Sequence, residues 1–301
     1  MWRFLHVSDP HLGSDTDGEW NNRFLCTMMP EVMACLRRDI ARFEPDFILA
    51  TGDIASKQTR EAMFVARDLM DLLGVPYYPM GGNHDFALEE ARGWFVDAFG
   101  THLPTGETTY AFAHKNLRFC ILDPWWLWSD GTLQPFSEGA KAATMDKTLA
   151  GMRWAVPQEQ LAWLEEELTN HADVSTIVAT HYPAVCIPER LRRPGLNDAG
   201  RLANGDELIG LLGRFSHAKA IFSGHVHMHF IEPLSESLTQ VVTGALPEFP
   251  VEFRCVDVHE ECLEITTHGL SDGGFAERSL IPGKEWTAGA AQDRTATLRL
   301  G

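Results

Sequence analysis

Aspartate, histidine and asparagine recur in this 301-residue chain just where an apolar run stops. Asp9 and His11 follow the run Phe4-Leu5-His6-Val7. Asp53 follows Phe47-Ile48-Leu49-Ala50, and Asn83 and His84 follow the run ending at Met80. His181 ends the run from Ser175 to Thr180, and His225 and His227 follow Ala218 to Phe222 across Ser223-Gly224. Carboxylate, amide oxygen and imidazole together suit divalent ions such as Mn, Fe, Zn or Co. Each residue has a bland explanation alone: Asp9 can cap a turn, Asp53 can sit in a Gly-Asp turn, Asn83 can take a left-handed turn position, and His181 can be a structural histidine. Five strand ends carrying ligand-type side chains by accident is a much weaker explanation. The alternation His225-Val226-His227 in an extended segment puts both imidazoles on one face, so that they can address adjacent ions. Two ions clamp the attacking and leaving oxygens of an in-line displacement and lower the pKa of a bridging water. Their four positive charges exceed the two negative charges of Asp9 and Asp53, and the surplus attracts phosphate.

Short apolar runs alternating with helical patterns must position these groups. A helix is expected from Met28 to Phe43, with Val32, Cys35, Leu36 and Ile40 on one face, and another from Thr59 to Leu73. The strand–helix–strand rhythm predicts right-handed crossovers and parallel pairing, with ligands at the carboxyl edge of the sheet. Thr109 to Phe112 and Leu117 to Leu122 read as a hairpin. An irregular stretch from Pro124 to Gly151 carries Trp125, Trp126 and Trp128. Pro157 starts a helix, and a further helix is expected near Leu202 to Leu212. Three strands, Leu238 to Thr243, Val251 to Val258 and Leu263 to His268, are expected to form a second sheet packed on the first.

The composition bounds the rest. The chain has 42 acidic and 25 basic residues, a formal net charge of −17, and 45% hydrophobic residues. That excludes a disordered chain and disfavours a duplex nucleic acid as partner, which needs an electropositive footprint. Six cysteines lie scattered without CxxC pairs, and Cys26, Cys35 and Cys120 read as reduced core residues. No leader pattern and no membrane-length apolar run is visible, so a cytoplasmic protein without membrane association is expected, with a homo-oligomer left open. A single unit over 1–270 is expected, with 271–301 as an extension packed on or extending it.

Asp9-Pro10-His11, Gly52-Asp53, Gly82-Asn83-His84-Asp85, His181 and Gly224-His225-Val226-His227 resemble, in order, the five motifs of the calcineurin-like metallophosphoesterase superfamily. The resemblance spans roughly Met1 to Phe230. It implies a four-layered α/β/β/α sandwich with two mixed sheets. It implies that Asp9, His11 and His227 bind one metal, that Asn83, His181 and His225 bind the second, and that Asp53 bridges both. A bridging hydroxide would be the nucleophile, with His84 assisting the leaving group and Asp85 orienting His84.

Departures narrow the branch. Asp53 is followed by Ile54-Ala55-Ser56, unlike the protein Ser/Thr phosphatases and the purple acid phosphatases, and His84 stands where the lipid A pathway pyrophosphatases carry arginine. The Ser8-Asp9-Pro10-His11-Leu12 opening and Gly195-Leu196-Asn197-Asp198 are similar to the class III cyclic-nucleotide phosphodiesterase and glycerophosphodiesterase group. The resemblance thus implies a phosphodiesterase for a small cyclic-nucleotide or glycerophosphodiester substrate. The alternatives are a promiscuous phosphomonoesterase on the same site or a non-catalytic scaffold of the same fold; a zinc peptidase lacks its HExxH or GxSxG motif. Ser14 to Asn22 either borders the pocket or is a solvated loop. Trp125, Trp126 and Trp128 either stack on a base or form a hydrophobic patch. Arg190, Arg192 and Arg193 could engage phosphate but read rather as a solvated loop, His229 as structural or as support behind the ligands, and His6 as a packed strand residue.

Overall fold

The computed structural model describes residues 1–57, 59–86, 88, 90–127, 131–135, 153–193 and 200–300. In chain order the strands are β1 (Trp2–Val7), β2 (Gly18–Glu19), β3 (Arg23–Phe24), β4 (Phe47–Thr51), β5 (Tyr77–Met80), β6 (Tyr110–His114), β7 (Leu117–Ile121), β8 (Trp125–Leu127), β9 (Leu133–Gln134) and β10 (Arg153–Ala155). They continue with β11 (Ser175–Ala179), β12 (Ala218–Ser223), β13 (Phe230–Pro233), β14 (Thr239–Val242), β15 (Glu252–Val258), β16 (Cys262–Gly269) and β17 (Thr295–Arg299). The helices are α1 (Met29–Phe43), α2 (Arg60–Asp71), α3 (Ala91–Phe99), α4 (Gln158–Asn170), α5 (Gly205–Leu212) and α6 (Gly274–Ser279).

Local chemistry sets the element ends. Pro30 opens α1, where its missing N–H costs nothing, and Glu44 closes it in a left-handed conformation with its N–H on Ile40 O. Thr59 caps α2 by accepting from the Ala62 N–H at 3.1 Å. Both helices bury one face, Val32, Cys35, Leu36 and Ile40 in α1 and Met63, Ala66 and Met70 in α2.

Two six-stranded mixed sheets form the body. The first runs β17-β16-β15-β1-β4-β5, with β1, β4 and β5 parallel. The second runs β13-β14-β12-β11-β7-β6, with β7, β11, β12 and β14 parallel and antiparallel strands at both edges. The period of two divides the second sheet's side chains between two cores. Phe119, Ile177 and Phe222 face the first sheet, and Cys120, Val178 and Ile221 face α4 and α5. Phe4 meets Phe119 and Phe222 across the sheets at ring-centroid distances of 5.5 and 5.9 Å. The result is the expected helix–sheet–sheet–helix layering. The segment after 271 supplies α6 and the edge strand β17, which pairs with β16.

The three C-terminal strands do not form a sheet of their own. β14 joins the second sheet beside β12, whereas β15 and β16 extend the first beside β1. Residues 243–251 cross between the sheets, with Ala245 bridging Ser8. Alternating apolar residues make each a strand, but long-range partners decide which edge each one joins. Among the described residues, no helix is long and apolar enough to cross a membrane.

Candidate metal centre

The expected ligands sit where strands β1, β4, β5, β11 and β12 end. At these ends the backbone turns abruptly. Asp9, His11, Asp53, His225 and His227 all have left-handed backbones, with φ between 44° and 68°. For an L-residue this costs about 1–2 kcal/mol, and such strain gathers where geometry serves a ligand. Glycines let the turns close. A Cβ on Gly82 would lie 2.3 Å from Asp53 Oδ1 and 2.6 Å from His181 Nε2, and one on Gly224 would strike Ser8 Oγ and Asp9 Oδ2.

Two groups of ligand atoms result. Asp9, His11, Asp53 and His227 offer atoms within 4.8 Å of one another, and so do Asp53, His181 and His225. Asp53 belongs to both. Asn83 Oδ1 and His181 Nε2 are buried without a hydrogen-bond partner, a costly state for polar atoms. His11 Nε2 and His227 Nε2 face each other at 3.4 Å. His181 Nδ1 donates to Thr51 O at 2.7 Å, which leaves its Nε2 for the centre, 3.4 Å from Asp53 Oδ2. Orphaned amide oxygen, convergent imidazoles and a shared carboxylate fit two divalent cations.

The electrostatics without metal point the same way. Burial lowers the pKa of every ring here. For His181 the Asp53 and Asp9 carboxylates override it and raise the pKa to about 9. For His227, Asp9 and Glu248 raise it to about 10. His11 and His225 stay well below 6.5 through burial and their imidazole neighbours. Burial raises Asp53, but His181, His84 and His11 overcome this and hold its carboxyl well below the usual range. Burial and the Asp53 charge push Asp85 up to about 7.

His84 lies beside this cluster, half-buried, with its N–H donating to Asp53 Oδ1 at 2.8 Å and its ring edge-on to His11. Its Nδ1 lies 3.4 Å from Ser56 O. Asp85 was expected to orient the His84 ring, and its carboxylate is engaged elsewhere. It accepts from the N–H groups of Ile54, Ala55 and Gly82 at 3.0, 2.8 and 2.9 Å. Asp85 thus fixes the two backbone turns that carry Asp53 and His84. A short side chain at the end of the turn 83–85 reaches back to these backbone donors.

Glu248 escaped the sequence reading. It is fully buried, and its Oε2 lies 2.6 Å from His227 Nδ1. Its only sequence signal is an acid inside the apolar, proline-flanked run from Ala245 to Pro250. Of the two readings of Ser14 to Asn22 the geometry fits the pocket border, through a residue not singled out there: Trp20 is 53% exposed, with its ring 5.3 Å from His227 and 6.4 Å from His225. The loop carrying it is tied down by Asn21 Nδ2, which donates to Val226 O, and by buried Asn22. Trp126 is buried, edge-on to Trp154, which stacks on Tyr182 and meets His225 at 5.1 Å. Trp128 and residues 195–198 lie outside the described residues. Arg190 is neither solvated nor free for phosphate, because Glu232 and Asp293 hold it. His229 is buried, 3.5 Å from Glu252, and His6 hydrogen-bonds two threonines.

A two-sheet sandwich with a shared-carboxylate, His-rich cluster at the strand ends defines a metal-dependent phosphoester hydrolase. The chain belongs to the calcineurin-like phosphoesterase family, whose profile matches residues 3–229. It is similar to a probable glycerophosphodiester phosphodiesterase of Arcobacter nitrofigilis, 27% identical over 250 residues, covering 77% of this chain and 80% of that one. It is similar also to a 3',5'-cyclic adenosine monophosphate phosphodiesterase of Haemophilus influenzae, 26% identical over 226 residues, 75% of this chain and 69% of that one. A dimetal phosphatase from Danio rerio shares the fold, with a TM-score of 0.72 at 15% identity, covering 100% of this chain and 99% of that one.

Proposed function

We propose that this protein is a dinuclear-metal-dependent phosphodiesterase for a small diester of the cyclic-nucleotide or glycerophosphodiester type. The observation that carries the reading is Asp53, which belongs to both groups of ligand atoms. Asp9, His11 and His227 would hold one ion, Asn83, His181 and His225 the other, and Asp53 both. When bound, such ions supply Lewis acidity and a nucleophile at neutral pH. The remaining work falls to the chain. Asp85 and the two glycine turns hold the ligand backbones. Glu248 fixes the His227 ring so that Nε2 faces the centre. His84 is anchored through its N–H to Asp53, and its Nδ1 faces Ser56 O. Nδ1–H is directed at a carbonyl, so Nε2 is the atom that would give a proton to the departing alkoxide, from a ring protonated on both nitrogens and left neutral by the step. Names of relatives acting on glycerophosphodiesters and cyclic AMP support the diester assignment.

The test is a panel of cyclic AMP, a glycerophosphodiester, an aryl phosphodiester and an aryl phosphomonoester, run on protein of measured metal content. Diester turnover is expected, with two divalent ions per chain. His84→Ala is expected to keep both ions and lose about 100- to 10,000-fold in kcat. Preference for the monoester would refute the diesterase reading, and undiminished turnover by His84→Ala would remove His84 from the mechanism.

A further inference from the structure

Behind the metal centre the two sheets enclose a line of buried polar side chains of which the chemistry above uses only the last. It begins at Arg254 on β15 and ends at Asp9. Arg254 Nε lies 3.1 Å from Thr243 Oγ1, and Thr243 Oγ1 lies 2.8 Å from His6 Nδ1. His6 Nε2 lies 2.8 Å from Thr51 Oγ1, Thr51 Oγ1 lies 2.7 Å from Ser8 Oγ, and Ser8 Oγ lies 2.5 Å from Asp9 Oδ2. All six residues are fully buried.

Donor and acceptor rules give this line a direction. The Asp9 carboxylate only accepts, so Ser8 spends its single proton there. The alternative acceptor for Ser8, Thr51 O, is more distant at 3.3 Å. Ser8 must then accept from Thr51, and Thr51 must accept from His6. That puts the His6 proton on Nε2 and leaves a lone pair on Nδ1. The other end is compatible: a guanidinium only donates, so Thr243 accepts from Arg254 and keeps its own proton for the Nδ1 lone pair of His6. Burial and the Arg254 charge, which hold the His6 pKa well below 6.5, agree with a neutral ring.

We propose that this directed chain is a positioning device for Asp9, with Thr51 as its hub. The Ser8 hydroxyl pins Oδ2, and the His225 N–H is shared between the two oxygens, 3.0 Å from Oδ2 and 3.2 Å from Oδ1. With Ser8 on Oδ2, Oδ1 is the oxygen nearest the imidazoles, 3.3 Å from His227 Nε2 and 3.9 Å from His181 Nε2. Each link polarises the next, so the chain acts as one unit. Thr51 serves both halves of the centre through different atoms. Its hydroxyl leads to Asp9, and its carbonyl accepts from His181 Nδ1. The inference rests on the reading of Asp9 as a metal ligand.

Thr51→Val removes the hydroxyl and keeps the carbonyl. Calorimetric titration with Mn²⁺ is expected to show a 10- to 100-fold loss of affinity for the ion held by Asp9, His11 and His227. The ion held by Asn83, His181 and His225 is expected to change less than threefold, and Thr51→Ser is expected to restore the first affinity. Nitrogen-15 NMR of His6 in the wild-type, metal-free protein is expected to show the Nε2–H tautomer, a signature that needs neither turnover nor a variant that folds. An Nδ1–H tautomer overturns the proposal. So does a folded Thr51→Val protein with unchanged first-ion affinity, or equal losses at both ions that Thr51→Ser does not rescue. Failure of the wild type to take up any Mn²⁺ overturns the metal centre itself, and is thereby told apart from failure of the chain.

Discussion

Glu248 shows what a single residue adds to the centre. Its carboxylate fixes the His227 ring and helps raise that ring's pKa to about 10. It also changes the charge count. With Asp9 and Asp53 it brings three negative charges, so two divalent ions leave a surplus of one positive charge rather than two. Ligation requires neutral imidazoles. His181 and His227, raised to about 9 and 10, carry protons at pH 7.5 in the metal-free protein and must release them on binding. Calorimetry in buffers of different ionisation enthalpy is expected to detect about two protons released per two ions bound. Glu248→Gln takes away one of the carboxylates that hold the His227 proton. It is expected to reduce the protons released and to weaken metal binding about 10- to 100-fold, as the loss of a partner behind a ligand does elsewhere. Proton release unchanged by Glu248→Gln would contradict this account of the His227 ring.

At the scale of elements, strand ends are where function and folding compete. Five candidate ligands sit in left-handed turns, and glycines admit the side chains of neighbouring turns. Gly82→Ala would press a methyl group against Asp53 and His181, and loss of the second ion, read by elemental analysis, is expected. Gly93, inside α3, has nothing within 4 Å of an added Cβ. Gly93→Ala is expected to stabilise by about 0.5–1 kcal/mol, seen as a raised Tm, because it only removes unfolded-state freedom. A sign reversal between the two variants would undo the argument. This contrast also explains what the sequence could reveal. Asp9, Asp53, Asn83 and the histidines were legible because each lies just past the end of an apolar run, so a local pattern carries a spatial fact. Glu248 and Trp20 follow no such run, and Thr51 ends one but is not a ligand type, so its hydroxyl carried no signal. Glu248 reaches the centre through the crossing between sheets and Trp20 through an anchored loop, which only long-range pairing determines. The split of β14 from β15 was illegible for the same reason.

The whole molecule carries a formal charge of −17, yet its centre needs cations, and pH decides what substitutes for them. Without metal, protonated His181 and His227 neutralise part of the charge of Asp9, Asp53 and Glu248. Both rings have folded-state pKa values above 6.5, so their contribution to stability is complete below pH 6.5 and fades as pH rises towards 9 and 10. His6, His11, His225 and His229 are shifted the other way and weaken the fold only below about pH 6.5. Asp85, raised to about 7, ceases to titrate above roughly pH 8. The raised cysteines destabilise only towards pH 9 and beyond, in loaded and metal-free protein alike. Burial lowers Arg254 to about 9 and raises the buried tyrosines Tyr110 and Tyr182, and these groups too are present in loaded and metal-free protein alike. Between pH 8 and 10 it is therefore the difference between the two forms that isolates His181 and His227. In the loaded protein the ions replace those two protons, and affinity for them rises with pH, so stabilisation by ligand grows. Chelation is expected to lower Tm at every pH, and the gap between loaded and chelated protein is expected to widen steadily from pH 8 to 10. Thermal unfolding followed by circular dichroism, with and without chelator, measures that gap. A gap that stays constant or narrows would show that the raised histidines are not what occupies the place of the metal.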